Sequence, residues 1–405
     1  MSRNILITGI ICGLILLTFA LFPWTNPSSP DVQDTANFDT PNFTTHWQQP
    51  LKPQGPPPQQ WSDMEKSLNP EDCAQCHADK FDEWKTSLHA HAMSPGFVGQ
   101  IMTYDQQSAD DCMDCHAPLA EQKLAFQQAV ARGEGHLPAA QGLAAAANSC
   151  AGCHVRENKR YGPSQKDTGQ TGQSDPGNPH GGVFRTIEFE KSDFCASCHQ
   201  FPQDYAINGK PLENTVFEWR ASPQAAKGIS CQNCHMPDRK HLWRGIHDPE
   251  MVESGLTVDY DLTADKARFT LTNTGVGHAF PTYITPKVIM YAVALDADGH
   301  PIADSTVSHV IKRDVGYAGG RWLEYSDTRL LPGDAASLDL DWQDSTRIRM
   351  WLDVRPDDYY EQEVYGDLVR DYADNSPEKA LIEQAISQAQ ANNFILFDRI
   401  VKRPE

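Results

Sequence analysis

The sequence predicts an α+β protein. A mainly helical, loop-rich domain at 61–252 is followed by an antiparallel β-sandwich at 257–354 and by helices at 355–405. Three observations predict this. Five copies of Cys-x-x-Cys-His fall between Cys73 and His235, joined by helix-forming and Gly/Pro-rich segments. From Thr257 the apolar residues switch to a period of two, the repeat of half-buried strands. After Tyr360 they recur every four residues, as on one face of a helix.

The elements follow in order. Met1 to Arg3 is a short basic stretch, and Ile5 to Phe22 adds 18 residues without a charge, just enough to span a bilayer. No small-x-small cleavage site follows, and Trp24 suits a membrane interface. Residues 1–22 are therefore expected to form an uncleaved signal anchor that tethers a periplasmic protein; cleavage would give a secreted or surface protein. Cys12 follows Ile11 rather than a small residue, which argues against a lipoprotein site. Residues 23–60 are rich in Pro, Gln, Asn, Thr and Ser and read as a disordered linker. Its extended reach is roughly 100 Å.

The motifs come next: Cys73, Cys76, His77; Cys112, Cys115, His116; Cys150, Cys153, His154; Cys195, Cys198, His199; and Cys231, Cys234, His235. A lone Cys-x-x-Cys suits a redox dithiol or half a zinc site, but neither needs a histidine after the second cysteine every time. Five such copies are the pattern of covalent haem c attachment. The two thiols add across the haem vinyl groups, the two-residue gap matches their spacing, and the histidine gives the iron its proximal ligand. Five covalently bound haem c groups are expected. Successive first cysteines are 39, 38, 45 and 36 residues apart, one haem per supersecondary unit. The 192 residues from 61 to 252 are few for five haems, so porphyrin faces must supply much of the core. Haems packed that closely exchange electrons. Ten of the 11 cysteines are used in this way, leaving no pair for a structural disulfide.

Between the motifs, Pro118 to Arg132 is dense in helix formers and stops at Gly133, whereas 158–182 reads as loop. In the strand region Leu338, Leu340 and Trp342 alternate with Asp339 and Asp341. Ile348, Met350, Leu352 and Val354 alternate with Arg347, Arg349, Trp351 and Asp353. Val288 to Leu295 is a continuous apolar strand closed by the Asp298-Gly299 turn. In the tail, Ser376 caps a helix with Pro377 at its first position, and Phe394 to Val401 returns to a strand pattern.

Each iron has a sixth position. A second nitrogen there makes a haem for electron transfer, and an open position makes a site for chemistry. Six non-motif histidines are candidates: His89, His91, His180, His241, His247 and His278. His89 and His91 would point about 200° apart on a helix and so serve different haems. His278 sits in Gly277-His278-Ala279-Phe280-Pro281, where glycine lets backbone approach a flat porphyrin; the alternative is a turn residue pinning the sandwich. His136 is a weaker candidate, and His46, His300 and His309 are left out. Met236, next to His235, cannot reach the far face of that haem.

The formal charge of −20, before the haem propionates, argues against nucleic acid and against anionic lipid as partners. It suits redox partner proteins with a basic docking face, and equally it suits plain solubility.

Several segments together resemble the multihaem c-type cytochromes related to the tetrahaem cytochrome of ammonia-oxidising bacteria. They are Trp84 with Ser87-Leu88-His89, Cys115-His116-Ala117-Pro118-Leu119, Cys195 to Phe201, Glu218-Trp219-Arg220, Cys231 to Pro237, and Gly277-His278 to Pro281-Thr282. The resemblance implies bis-histidine ligation, stacked haem pairs and periplasmic or surface electron transfer. It carries distal-ligand status onto His89, His180 and His247, and extends less directly to His91, His241 and His278. Some relatives self-assemble into conducting filaments. Five motifs and a C-terminal sandwich depart from the tetrahaem pattern, so the haem order need not match.

The leading expectation is an electron carrier without a catalytic residue. The rival is a reductase of a small nitrogen or sulfur oxyanion at a haem with an open position. Every motif ends in His, and six candidate ligands face five sites, which favours the carrier. A third reading makes the sandwich a module that docks a partner or neighbouring copies.

Overall fold

The computed structural model describes residues 46–135 and 139–405. The expected anchor, linker residues 23–45 and His136 lie outside them. Among the described residues no helix is long and apolar enough to cross a membrane. Helices and strands are both present, as a mixed class requires. The chain divides into two compact units, Met1–Phe194 and Cys195–Glu405. The division falls after Phe194, so the fourth and fifth motifs group with the strands. The cause is local. Backbone carbonyls of Ile207, Lys210 and Pro211, between those motifs, accept hydrogen bonds from Arg313 far along the chain.

In the first unit α1 (Gln106–His116) carries the second motif in its last turns, and α2 (Ala120–Ala131) follows it. Asp105 caps α1 by accepting the Ser108 N–H. Residues 46–60, expected to be disordered, are docked. Leu51 packs with Leu119, Ala151 and Val155. The Asn158 amide donates to the Gln54 carbonyl at 2.8 Å, and also reaches the carbonyls of Gly55 and Pro56. A Pro-rich segment makes few hydrogen bonds of its own, so a side-chain amide from elsewhere can hold it. The stretch expected as loop, 158–182, is likewise partly ordered. Short strands at Val155–Arg156, Lys159–Gly162, Gly172–Gln173 and Phe184–Arg185 form a small sheet. Asn158, at φ +60°, makes the tight turn between the first two.

In the second unit the strands are β1 (Leu256–Leu262), β2 (Lys266–Asn273), β3 (Lys287–Leu295), β4 (Val307–Ile311), β5 (Arg313–Ala318), β6 (Arg321–Asp327), β7 (Ala335–Asp341), β8 (Arg347–Arg355) and β9 (Phe394–Lys402). They pair antiparallel as a four-stranded sheet β4-β3-β8-β9, a three-stranded sheet β7-β2-β1 and the hairpin β5-β6. The alternation read from the sequence sets the burial. Ile348, Met350, Leu352 and Val354 are all fully buried, and their neighbours along β8 are not. These four share one core with Phe269 and Leu271 of β2, Met290 of β3 and Leu338 of β7, so the apolar faces of both sheets meet. Trp342 lies in that core and donates its Nε1–H to the Thr263 carbonyl at 2.9 Å.

The tail is less uniform than expected. A π-helical turn Tyr360–Tyr365 and a short helix Gly366–Asp371 precede α3 (Pro377–Ala391), where Ser376 accepts the Lys379 N–H. Then β9 pairs with β8 and completes the larger sheet, so the tail is not a separate helical layer.

Candidate haem-binding site

Four motifs close a helix at the histidine, and the first begins at the last residue of helix Pro70–Cys73 and runs on as turns to His77. For the first, the N–H of His77 donates to the Cys73 carbonyl at 2.9 Å. A helical turn is what the chemistry needs, since positions i, i+3 and i+4 share one face. Both sulfurs and the imidazole thus project to the same side. The helix ending at Cys73 packs against the helix of the third motif, which brings Cys73 and Cys150 close enough to perturb one another's ionisation.

Three motif histidines are held alike. His116 Nδ1–H donates to the Ala92 carbonyl at 2.8 Å, His154 Nδ1–H to Tyr161 at 2.7 Å and His235 Nδ1–H to Arg244 at 2.7 Å. This fixes the tautomer and leaves Nε2 as the lone-pair donor, the arrangement usual for metal-bound imidazole. Burial pushes the pKa of all three down, so they stay neutral as ligands must. Aromatic rings lie flat on two of them. Phe97 stacks on His116 at 4.0 Å, and Phe189 on His154 at 5.1 Å, which restrains rotation of each imidazole.

The second-ligand candidates separate by position. His278 faces His235 with ring centres 6.3 Å apart and planes 11° from parallel. An iron between two imidazoles, with metal–nitrogen bonds of about 2 Å, separates their centres by about 6 Å. Its Nδ1–H donates to the Ala279 carbonyl at 2.9 Å, again leaving Nε2. Burial, before any nearby charge, pushes its pKa down to about 4. The loop is pinned on both sides. Glu218 accepts the Ala279 N–H at 3.1 Å, and Asn273 donates to the His278 carbonyl at 3.0 Å. At Gly277 a Cβ would come within 3.3 Å of Trp219 and Gln224, so any larger residue there would have to push these side chains aside.

His180 lies within electrostatic reach of His77, and its Nδ1 is buried without a hydrogen-bond partner. It holds a left-handed backbone at φ +48°, a strain that packed surroundings must sustain. His89 is half-buried and His91 exposed. The helix expected to carry both ends at Trp84, because Ser87 Oγ–H donates to the Trp84 carbonyl at 2.7 Å and the chain continues as turns. The helical argument for splitting that pair therefore lapses. His241 donates from Nδ1 to the Arg239 carbonyl at 3.1 Å and sits edge-on to Trp243. His247 pairs with Asp357.

His46 is a residue the sequence reading passed over. It is buried among Trp47, Tyr161, Phe189 and Phe194, and its Nε2–H donates to the Cys153 carbonyl of the third motif at 2.8 Å. Burial and then Arg156 push its pKa down to about 3. The one sequence signal was the adjacent Trp47 in an otherwise polar stretch.

Residues 72–134 match the profile of the family described as Cytochrome c554 and c-prime. A crystal structure of a penta-heme cytochrome c552 from Thermochromatium tepidum superposes with a TM-score of 0.55 at 19% identity, over 78% of this chain and 96% of that one. That likeness is one of fold. No curated protein matches the chain. Together these findings support a multihaem c-type cytochrome. The residues above suit haem c: neutral buried imidazoles, orphaned buried nitrogens on two further histidines, and paired thiols in every motif but the second, where Cys112 is disulfide-bonded against the expectation of no disulfide.

An ionisable group also lies near the fourth motif. Burial, reinforced by Glu218 and opposed by Thr215 and Arg329, pushes the Glu213 carboxyl up to about 8. A carboxyl whose folded pKa is raised contributes stability below its unfolded value of 4.5 and loses that contribution as pH rises toward 8. Glu213→Gln is expected to remove this loss, which for one proton is at most about 1.4 kcal/mol per pH unit. Thermal melts between pH 5 and 8 check it, and equal pH slopes for both proteins would contradict the assignment.

Proposed function

We propose that this chain is a periplasmic pentahaem c-type cytochrome that relays electrons between redox proteins through closely packed haems. The bound haem c supplies the redox couple. The chain's own residues fix the attachment geometry, hold imidazoles neutral on the irons and exclude water. In this reading ten motif cysteines carry five haems, and the motif histidines are the proximal ligands. His89, His91, His180, His241, His247 and His278 are the pool of distal ligands. The two C-terminal sheets act as a β-sandwich scaffold that delivers His278. The observation that carries the proposal is the His235–His278 pair, spaced as two ligands of one iron. A haem with both axial positions filled transfers electrons and binds no substrate. A reductase is not favoured. Partners with a basic docking face suit the charge of −20, and tethering by residues 1–22 suits delivery from a membrane donor.

Mass spectrometry and EPR of the exported protein test this. The expected result is a mass increment of five haems and only low-spin ferric signals. The bare polypeptide mass, or zinc in place of iron, would overturn it.

A further inference from the structure

His247 is held in the reverse sense to the motif histidines. Its Nε2–H donates to the Asp357 carboxylate, 3.0 and 3.1 Å from the two oxygens. Asp357 follows β8, and it also accepts from Asn392 Nδ2 at 2.8 Å, at the C-terminal end of α3. A carboxylate from the end of a strand and an amide from the tail helix therefore converge on one imidazole edge. The other edge, Nδ1, is buried and has no hydrogen-bond partner among the described residues. With Nε2 carrying the proton, Nδ1 holds the lone pair. An orphaned buried acceptor is costly unless something is bound to it.

We propose that Asp357, braced by Asn392, is a positioning residue that sets the His247 tautomer and presents Nδ1 to a haem iron. This rests on the reading of His247 as an axial ligand, and adds the ligating atom and the residue that selects it. The consequence is electronic as well as geometric. A carboxylate on the far nitrogen makes an imidazole a stronger donor, which favours ferric iron and lowers the midpoint potential of that haem. The other role open to Asp357 is an ion pair that pins the tail, which has no reason to touch a potential.

The test uses the full haem-loaded protein, with potentiometric titration followed optically and by EPR. Asp357→Asn is expected to keep all haems low-spin and to shift one midpoint upward, leaving the others in place. His247→Ala is expected to turn one haem high-spin. Unchanged midpoints in Asp357→Asn, beside a high-spin haem in His247→Ala, would overturn the role of Asp357 while leaving His247 a ligand. Only low-spin haems in His247→Ala would overturn the ligand reading itself. Should Asp357→Asn mature with too few haems, Asn392→Ala keeps the carboxylate but loosens it. A smaller upward shift of one midpoint is then expected, and no shift would again overturn the proposal.

Discussion

His278→Ala is expected to convert one haem, and no other, from low spin to high spin. The substitution removes the imidazole that faces His235 at 6.3 Å and leaves every motif intact. The haem should still attach, because its thioethers come from Cys231 and Cys234. The loop should keep its course, since Glu218 and Asn273 hold it through the backbone rather than through the His278 ring. What changes is the sixth position, which opens to water or an added ligand. One haem's share of the low-spin ferric signal should disappear, and a high-spin feature should appear at constant haem content. Exogenous imidazole should restore the low-spin spectrum. An unchanged EPR spectrum would mean that the histidine is a turn residue and that the spacing to His235 is coincidental.

The second large effect concerns folding. Arg313→Ala is expected to destabilise the C-terminal unit by about 3–5 kcal/mol, the cost of breaking a buried ion pair. The Arg313 side chain is fully buried. Its Nε donates to Glu324 at 2.8 Å, and its other nitrogens donate to the carbonyls of Ile207, Lys210 and Pro211. Alanine would take one donor from each of those carbonyls and leave Glu324 without its buried guanidinium partner. The lower end of the range is expected, because Lys210 Nζ stays 3.2 Å from Glu324. Arg313→Lys should fall between the two, keeping the charge but losing the planar fork that reaches several acceptors at once. Denaturant unfolding followed by far-UV circular dichroism measures this. A change under about 1 kcal/mol would show that the network adds little to stability.

Both effects bear on what the sequence made legible. The motifs could be read directly, because thioether chemistry dictates residue type and spacing together. The strands could be read because β8 buries every second residue and exposes the rest to a different environment. Contacts between distant residues could not. His46 meets Cys153 across 107 positions, and His247 meets Asp357 across 110. Neither pair leaves a periodic trace. The grouping of the fourth and fifth motifs with the strands was hidden for the same reason. Texture changes near 252 from loop to strand, but Arg313 ties the stretch before it to the strands after it. The helix expected through His91 failed on a single competing bond, from the Ser87 hydroxyl. Composition misled at 46–60, where poverty in apolar residues concealed Leu51 and the amide bonds from Asn158.

That docked segment bears on how the protein should be trimmed for laboratory production. A shortened gene starting at Trp61, which drops the Pro-rich stretch, would strip the cover from Leu119 and Val155 and unseat the ring beside Cys153. Starting upstream of His46 keeps the cover on the third motif.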